Sequence, residues 1–433
     1  MKKLGARAIV IGGSMGGLLA ARVASDYFDE VTLLDRDVFP EIGQQRRGVP
    51  QAVHTHGLLA SGRRVIAELF PGIVEELMER GGLSGDLLND SRWFFEGGCL
   101  SKTNSGLQGI LVSRPLLEGV VRKRTFAVQN IRHRESCVVD GLATNAERNR
   151  VTGVKTGGET MAADLTIDAT GRGSHSPAWL DAIGYGKPAE EKVEIALAYT
   201  TRWFKRKLEH LDGDSAAVIP QTPAGKRGGV MLAQEGDRWT CTLVGYHGNV
   251  APSEMAGYVE YAKSLPAPYI YDVVKSAEPM GEAFTARFPA SQRRRYERMK
   301  SFPEGFLVAG DAICSFNPIY GQGMSVAAQQ SLALRDSLAE GGADLARRFF
   351  ARAAKVVDIP WGVAVGADLR IPETVGPRNA GVNFINWYIA RLHKVAHSDP
   401  AASIAFLKVA NLLAAPPSIL APKMAMKVLF WRG

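Results

Sequence analysis

The stretch Gly12-Gly13-Ser14-Met15-Gly16-Gly17 is the part of this sequence most suited to holding a ligand. Glycines at such a turn let the backbone come close to a pyrophosphate, whose charge then rests on the N-terminus of the helix that follows. Gly12, Ser14 and Gly17 occupy the three small positions of the dinucleotide-binding pattern, with serine in place of its second glycine, and Met15 opens the helix. Asp35 stands 23 positions after Gly12, followed by Arg36. A spacing of about 20 suits a carboxylate that accepts from a ribose hydroxyl. This constellation predicts a bound dinucleotide and leaves NAD and FAD both open. His54 and His56 are the other candidates for chemistry. Two residues apart, they point to opposite faces of a strand or share a turn, where one can donate to a cofactor or substrate. Buried structural histidines are the simpler alternative. No acid–base pair or nucleophilic triad stands out. Cys99, Cys137, Cys241 and Cys314 are scattered without CxxC or Cys/His spacing, so neither a metal nor a disulfide framework is expected. Cys314 reads as a small packing residue.

These residues need elements to position them. Residues 7–11 read as a buried strand, 14–25 as a helix and 31–34 as a second parallel strand, a βαβ unit. Short apolar runs at 163–169 and 305–309 end in glycine-rich turns. Between them, 193–204, 230–234 and 239–246 are strand-like, the last two joined by the hairpin signal Glu235-Gly236-Asp237. From about residue 325 the pattern turns helical, with breaks expected at Pro360, Pro372 and Pro416-Pro417. The fold class is therefore α/β: a three-layer, Rossmann-like dinucleotide domain with an inserted mixed or antiparallel substrate sheet and a helical C-terminal region. The expected division is 1–82, 105–190 and 285–345 for the discontinuous cofactor domain, 83–104 and 191–284 for the sheet domain, and 346–433 for the helical region. A length of 433 residues, 46% hydrophobic and 22% charged, suits a soluble chain of two or three units. The run after Lys2 and Lys3 is cut short by glycines, which argues for a first strand over a signal peptide and for a cytoplasmic location. No uncharged apolar stretch is long enough to span a bilayer. The net charge of +8 is mostly dispersed, which favours a solvated surface over a nucleic-acid partner. The segment 421–432 is short, basic and amphipathic. It suits either peripheral contact with an anionic membrane or docking as a terminal helix, and docking is the simpler expectation.

The strand Gly305-Phe306-Leu307-Val308-Ala309, running into Gly310-Asp311-Ala312 and then Asn317-Pro318-Ile319-Tyr320-Gly321-Gln322-Gly323-Met324-Ser325, resembles the para-hydroxybenzoate hydroxylase-like flavoprotein superfamily. The resemblance implies FAD. Asp311 would hold the ribityl chain, and Gly310, Pro318, Gly321, Gly323 and Met324 would lie along the flavin. The following helix N-terminus would stabilise negative charge on the reduced ring. By the same resemblance Arg47 matches the arginine that follows the ribose-binding acid, and Arg114 the helix-start arginine near the ribityl and phosphate groups. Val138 would mark the backbone that meets adenine. In the segment that matches the superfamily's Asp-Gly pair, Thr170 takes the place of the aspartate before Gly171, which puts direct reduction by NAD(P)H in question.

Arg46 to Leu59, together with 265–272 and 358–370, is similar to bacterial natural-product flavin monooxygenases, notably polyene epoxidases of polyether pathways. That similarity implies insertion of one oxygen atom from O₂, as epoxidation or hydroxylation through a C4a-hydroperoxide, into an apolar polyene or terpenoid. Such chemistry needs a dry pocket and a positioned substrate more than a protein nucleophile. Electrons would come from NAD(P)H directly or through a separate flavin reductase. Trp179, Trp203, Trp239 and Trp361 are candidates for the cavity wall, with core packing as the alternative. The competing functions are an isoprenoid double-bond reductase resembling geranylgeranyl reductases, a flavin halogenase, and a non-catalytic flavoprotein. The halogenase lacks support because no Trp-x-Trp-x-Ile-Pro segment is present.

Overall fold

The computed structural model describes residues 2–432. Its first sheet is fully parallel, with β15 (Phe306–Val308), β9 (Leu165–Asp168), β1 (Gly5–Ile11), β2 (Phe28–Leu34) and β5 (Ile131–Arg134) in that spatial order. The C-terminal half of β1 (Ala8-Ile9-Val10-Ile11) is wholly buried, as a strand covered on both faces requires. Ile11 pairs with both Leu34 and Asp168, and Val308 with Asp168, so the carboxyl ends of four strands finish level. Helices α1 (Met15–Ala24), α2 (Ala60–Leu69), α3 (Ile73–Glu79), α4 (Arg114–Phe126), α8 (Gly323–Ala339) and α9 (Leu345–Asp368) enclose the main core with this sheet. Within it α1 packs along α8 and against α4, and α8 continues onto α2 and α9. A small antiparallel sheet of β6 (Gly141–Thr144), β7 (Val151–Thr156) and β8 (Glu159–Ala162), and helix α5 (Ser176–Ala182), flank β9.

The large mixed sheet runs β16 (Cys314–Ser315), β14 (Pro279–Arg294), β10 (Glu190–Lys205), β13 (Arg238–Tyr246), β12 (Arg227–Gln234), β11 (Ala216–Ile219), β3 (Ser91–Phe95), β4 (Gly98–Cys99). All its pairs are antiparallel except β11 with β3. The expected hairpin joins β12 and β13. Gly236 and Asp237 both take positive φ, 74° and 46°, which matches the twist of the flanking strands. Alternation divides the sheet's two faces. Met231, Ala233, Trp239, Cys241 and Leu243 form a core with α6 (Met255–Lys263) and α7 (Tyr269–Val274). Leu197, Tyr199, Val230, Leu232, Thr242 and Val244 face the other way and wall a cavity.

The helical region adds α10 (Ala380–Ala396), α11 (Pro400–Ala410) and α12 (Pro422–Leu429), which form a separate core with Leu88, Leu100 and Leu107. Pro372 and Pro416-Pro417 lie at breaks as expected, but Pro360 does not: it sits inside the 24-residue helix α9. The lost amide donor is tolerated because Phe349, Phe350, Ala353, Val357 and Ala364 hold both halves of the helix in the core.

A Cβ added at Gly17 would lie 1.7 Å from the Gly12 carbonyl oxygen, whereas one at Gly362, inside α9, would meet nothing within 4 Å. Gly17→Ala is therefore expected to lower stability by at least about 1–3 kcal/mol, and Gly362→Ala to raise it by up to about 1 kcal/mol. Thermal melting of both variants checks this. Equal melting temperatures would mean that the first turn is not packed this tightly.

Candidate functional site

Ligands of open parallel sheets bind beyond the carboxyl ends of the strands. At that edge lie Gly12 after β1, Asp35 after β2, the 135–138 loop after β5, Thr170 after β9 and Gly310 after β15. Gly12 is held in the left-handed region (φ 99°), and a Cβ there would meet the Ala169 carbonyl at 2.7 Å, so two turns pack together through this glycine. Ser14 is the N-cap of α1, yet its side chain caps no helix amide. Its hydroxyl instead donates to Glu118 (2.9 Å) and accepts from Arg114 (2.8 Å). The first-turn amides of α1 thus point outward without a side-chain partner. Asp35 is buried and accepts from the Gly13 amide (2.5 Å), the Asp37 amide (2.8 Å) and Arg46 (2.8 Å).

The arginine on Asp35 is accordingly Arg46, while its neighbour Arg47 is exposed. Arg46 also lies 3.5 Å from Glu118, and its Nε is buried without a hydrogen-bond partner. Arg114 is buried and paired with Glu118 at 2.9 Å. Two arginines and two carboxylates therefore neutralise one another beside the glycine turn. The Cys137 amide donates to the Asp35 carbonyl (2.8 Å), which brings Val138 and Arg36, both exposed, next to Asp35.

Asp168, buried at the end of β9, accepts from the Thr170 amide (2.8 Å) and hydroxyl (2.6 Å), from Ser174 (2.5 Å) and from Ser176. This carboxylate shapes the 168–176 turn, presenting Thr170 outward and holding Gly171 at φ 81°. A Cβ on Gly171 would stand 3.9 Å from Asp311. Asp311 is reachable by solvent yet ringed by protein, as befits the floor of a cleft. Desolvation raises its carboxyl pKa, with Arg114 and Arg172 opposing. Gly310 faces Gly16 across this cleft, a Cβ on Gly16 lying 3.8 Å from the Gly310 Cα. Gly321 takes φ 65° at the end of the Pro318–Tyr320 turn. Gly323 and Met324 then open α8, whose N-cap, Gln322, supplies no side-chain bond. The buried Gln322 Oε1 and Ser325 Oγ lack partners. Two uncapped helix ends, facing glycines and orphaned polar atoms along one cleft fit an extended anionic dinucleotide. Met15 and Met324 are buried beneath it.

Beyond Pro318–Gly321 opens a cavity of about 180 Å³ walled mainly by apolar side chains, among them Leu87, Trp93, Ile110, Leu197, Leu232 and Val244. His54 and His56 line it, on the irregular segment after the short helix Pro50–Val53. His54 Nδ1 lies 2.8 Å from the Thr201 hydroxyl, which continues through Thr242 to Thr55 in contacts of 2.5 and 2.7 Å. The His54 ring meets Tyr199 edge-on. Burial lowers the His54 pKa to about 4. For His56 burial first, then Arg114, gives about 3. Both rings are therefore neutral at physiological pH. The four tryptophans singled out above lie off this wall. Trp239 is buried under the sheet and donates to His210 (3.0 Å), Trp203 packs on Phe284, and Trp179 and Trp361 pack on the main core. The cavity tryptophan is Trp93. Cys314 is buried in the main core.

One buried carboxylate ties the cavity to the helical region. Asp368, at the end of α9, is fully buried and accepts on a single oxygen from Asn317 (2.8 Å), Tyr320 (2.9 Å) and Tyr246 (3.0 Å). Asn317 also donates to Tyr246 (2.6 Å), and the second Asp368 oxygen has no partner. Desolvation pushes the carboxyl up to about 7, the three donors opposing it.

The fold is shared with solved flavin-dependent enzymes. A probable FAD-dependent monooxygenase from Pseudomonas aeruginosa, PqsL, superposes with a TM-score of 0.63 at 14% identity, over 84% of this chain and 97% of that one. The flavin-dependent brominase Bmp2 superposes with a TM-score of 0.67 at 13% identity, over 94% and 93%. In sequence, the chain is 32% identical to Protein Rv3254 of Mycobacterium tuberculosis, over 94% of this chain and 89% of that protein. The chain belongs to the same family as Protein Rv3254. No family model matches it.

The raised Asp368 pKa has a direct consequence for stability. The folded chain keeps a proton that an unfolded aspartate releases near pH 4. The contribution is fully present below that pH and lost as pH rises through about 7. Relative to Asp368→Asn, the parent should lose up to about 4 kcal/mol between pH 4 and 7, with a constant difference above that window. Melting curves of both chains across pH 4–9 measure this. A pH-independent difference would mean that the carboxyl titrates normally.

Proposed function

We propose that this chain is an FAD-dependent monooxygenase that inserts one oxygen atom from O₂ into an apolar substrate, by epoxidation or hydroxylation. The observation that carries the proposal is an apolar cavity opening directly onto the Pro318–Gly321 turn that precedes α8. In this reading Gly12, Ser14, Met15 and Gly17 seat the pyrophosphate at the N-terminus of α1. Asp35 accepts from the adenosine ribose, with Arg36 and Val138 beside the adenine. Arg114 faces the phosphate and ribityl groups, and the exposed Arg47 contributes at the outer edge. Thr170, Gly171, Gly310 and Asp311 follow the ribityl chain, and Pro318, Gly321, Gly323 and Met324 border the ring. Bound FAD, once reduced, supplies the activated oxygen.

The protein's own part is to hold and dry the substrate. Olefin oxygenation needs no strong base at the reacting carbon, so a wall of Leu, Ile, Val and Trp with two neutral histidines suits it. Polyenes and terpenoids match that wall in polarity. His54, tethered to Thr201, can present only its remaining nitrogen to a bound molecule. Electrons reach the flavin from NAD(P)H directly or from a separate flavin reductase.

Two measurements test the reading. Asp311→Ala removes a desolvated carboxylate, so the fold should persist while FAD affinity falls by about 10- to 100-fold, the worth of a hydrogen bond to a charged group. Flavin-fluorescence titration reads this, and unchanged affinity would remove Asp311 from the site. The reduced, FAD-loaded protein is then given isotope-labelled O₂ and a panel of polyenes and terpenoids. One labelled oxygen atom per product molecule is expected. Saturated products formed without O₂ uptake would replace this proposal with a double-bond reductase.

A further inference from the structure

We infer that α10 and α12 together form a surface that docks on an anionic lipid bilayer. On α10, Phe384, Trp387, Arg391 and Lys394 recur at helical spacing along one stripe, while Tyr388, Leu392 and Val395 are buried. Phe384 and Trp387 are 51% and 47% exposed and lie 5.9 Å apart, with Ile385 exposed beside them. Arg391 reaches across to α12, donating to the Val428 and Trp431 carbonyls (3.0 and 2.9 Å), and its guanidinium lies over both Trp387 and Trp431. Lys394 stands over Trp431 as well. On α12 only Val428 is buried; Met426, Leu429 and, just beyond, Phe430 (77%) face solvent. The terminal helix is thus docked by Val428, by the half-buried Met424 and Trp431 and by carbonyl contacts, leaving Met426, Leu429 and Phe430 outward.

Charge decides the occupant. Residues 376–432 carry seven Lys or Arg and a single acid, Asp399, and so hold six of the chain's net eight positive charges. Arg378, Lys394, Lys408, Lys423 and Arg432 are exposed; Lys427 is paired with Asp399. A second copy of this chain would bring the same positive charge to the interface and be repelled. Anionic headgroups neutralise it while the aromatic rings enter the headgroup boundary, the arrangement of helices that lie on a membrane. Among the described residues no helix is long and apolar enough to cross one, so contact is at the surface. The layer also backs the cavity: Leu87 and Trp93, on the cavity wall, pack into the same apolar cluster as α10, α11 and α12. An apolar substrate held in a bilayer would therefore meet the protein on the side nearest its cavity, a benefit that rests on the function proposed above. The docking itself does not.

The test is co-sedimentation of the FAD-loaded full chain with vesicles of phosphatidylcholine alone or mixed with phosphatidylglycerol. Binding to the anionic vesicles only, released by salt, is expected. The variant Phe384→Ser/Trp387→Ser/Phe430→Ser should keep the parent melting temperature and FAD absorbance while its vesicle partition falls by about tenfold or more. A parent that stays in the supernatant with both vesicle types would overturn the inference, as would equal partition of parent and variant. A parent dimer that the triple variant splits would overturn it too, by assigning the surface to a second copy. Because flavin content is read in the same samples, loss of docking is distinguishable from failure of the flavin reading.

Discussion

The close approach of two strand-to-helix turns governs the site. Gly16, at the head of α1, and Gly310, at the end of β15, lie against each other, a Cβ on Gly16 standing at van der Waals distance (3.8 Å) from the Gly310 Cα, and α1 packs along α8 behind them. That packing sets both uncapped helix ends along one cleft, and it is possible only because Gly17 lets α1 sit against the Gly12 carbonyl. A side chain at Gly17 would drive α1 away from the Gly12 turn, because its Cβ would lie 1.7 Å from that carbonyl oxygen. The flanking charges are arranged to match: Asp35 and Glu118 occupy Arg46 and Arg114, so the cleft's cations are held rigidly. On the proposed function, a bound phosphate would meet oriented amides and guanidinium groups already held by carboxylates, at little cost in reorganisation.

The cavity beyond obeys a different constraint. Several of its polar wall groups are linked through a buried hydroxyl behind the wall: His54 to Thr201, Thr201 to Thr242, Thr242 to Thr55. A hydroxyl chain that ends on the Thr240 carbonyl leaves few unpaired donors to draw water inward, so polar strand residues can sit beside an apolar space. The low histidine pKa values follow from that same burial, and a neutral imidazole beside a dry cavity can orient a ligand without adding a charge that water would have to solvate.

What the sequence made legible was local. The glycine turn, Asp35 and the Gly310-Asp311 turn were readable because each depends on residues close together in the chain and on strand and helix periods. The sheet's hairpin was readable from Glu235-Gly236-Asp237 for the same reason. Where the outcome depended on side-chain direction in irregular backbone, periodicity carried no signal. Arg46 and Arg47 are neighbours of one type, and only the folded loop turns Arg46 toward Asp35. Pro360 signalled a break that core packing on both sides of it prevents. The cavity wall draws alternate residues from β3 and from β10 to β13, strands far apart in sequence whose register no local pattern sets, so Trp93 lines it while Trp179, Trp203, Trp239 and Trp361 pack elsewhere.

Asp368 shows how such non-local placement can join separate parts of the chain. Its partners come from β13 (Tyr246) and from the turn before α8 (Asn317 and Tyr320), while Asp368 itself ends α9. A fully buried carboxylate facing three neutral donors and no cation is an expensive group to retain unless the geometry it enforces is needed. Here it fixes Asn317, which in turn caps the Pro318–Tyr320 turn by accepting the Ile319 amide (3.1 Å). Tyr320 is at once a ligand of Asp368 and part of the cavity wall. The Pro318–Tyr320 turn, between the glycine-lined cleft and the apolar cavity, is therefore anchored from the far end of α9. Val365 and Leu369 of α9 and Val382 of α10 share an apolar cluster with Ile319, so the turn is held from the helical side by packing as well as by this carboxylate.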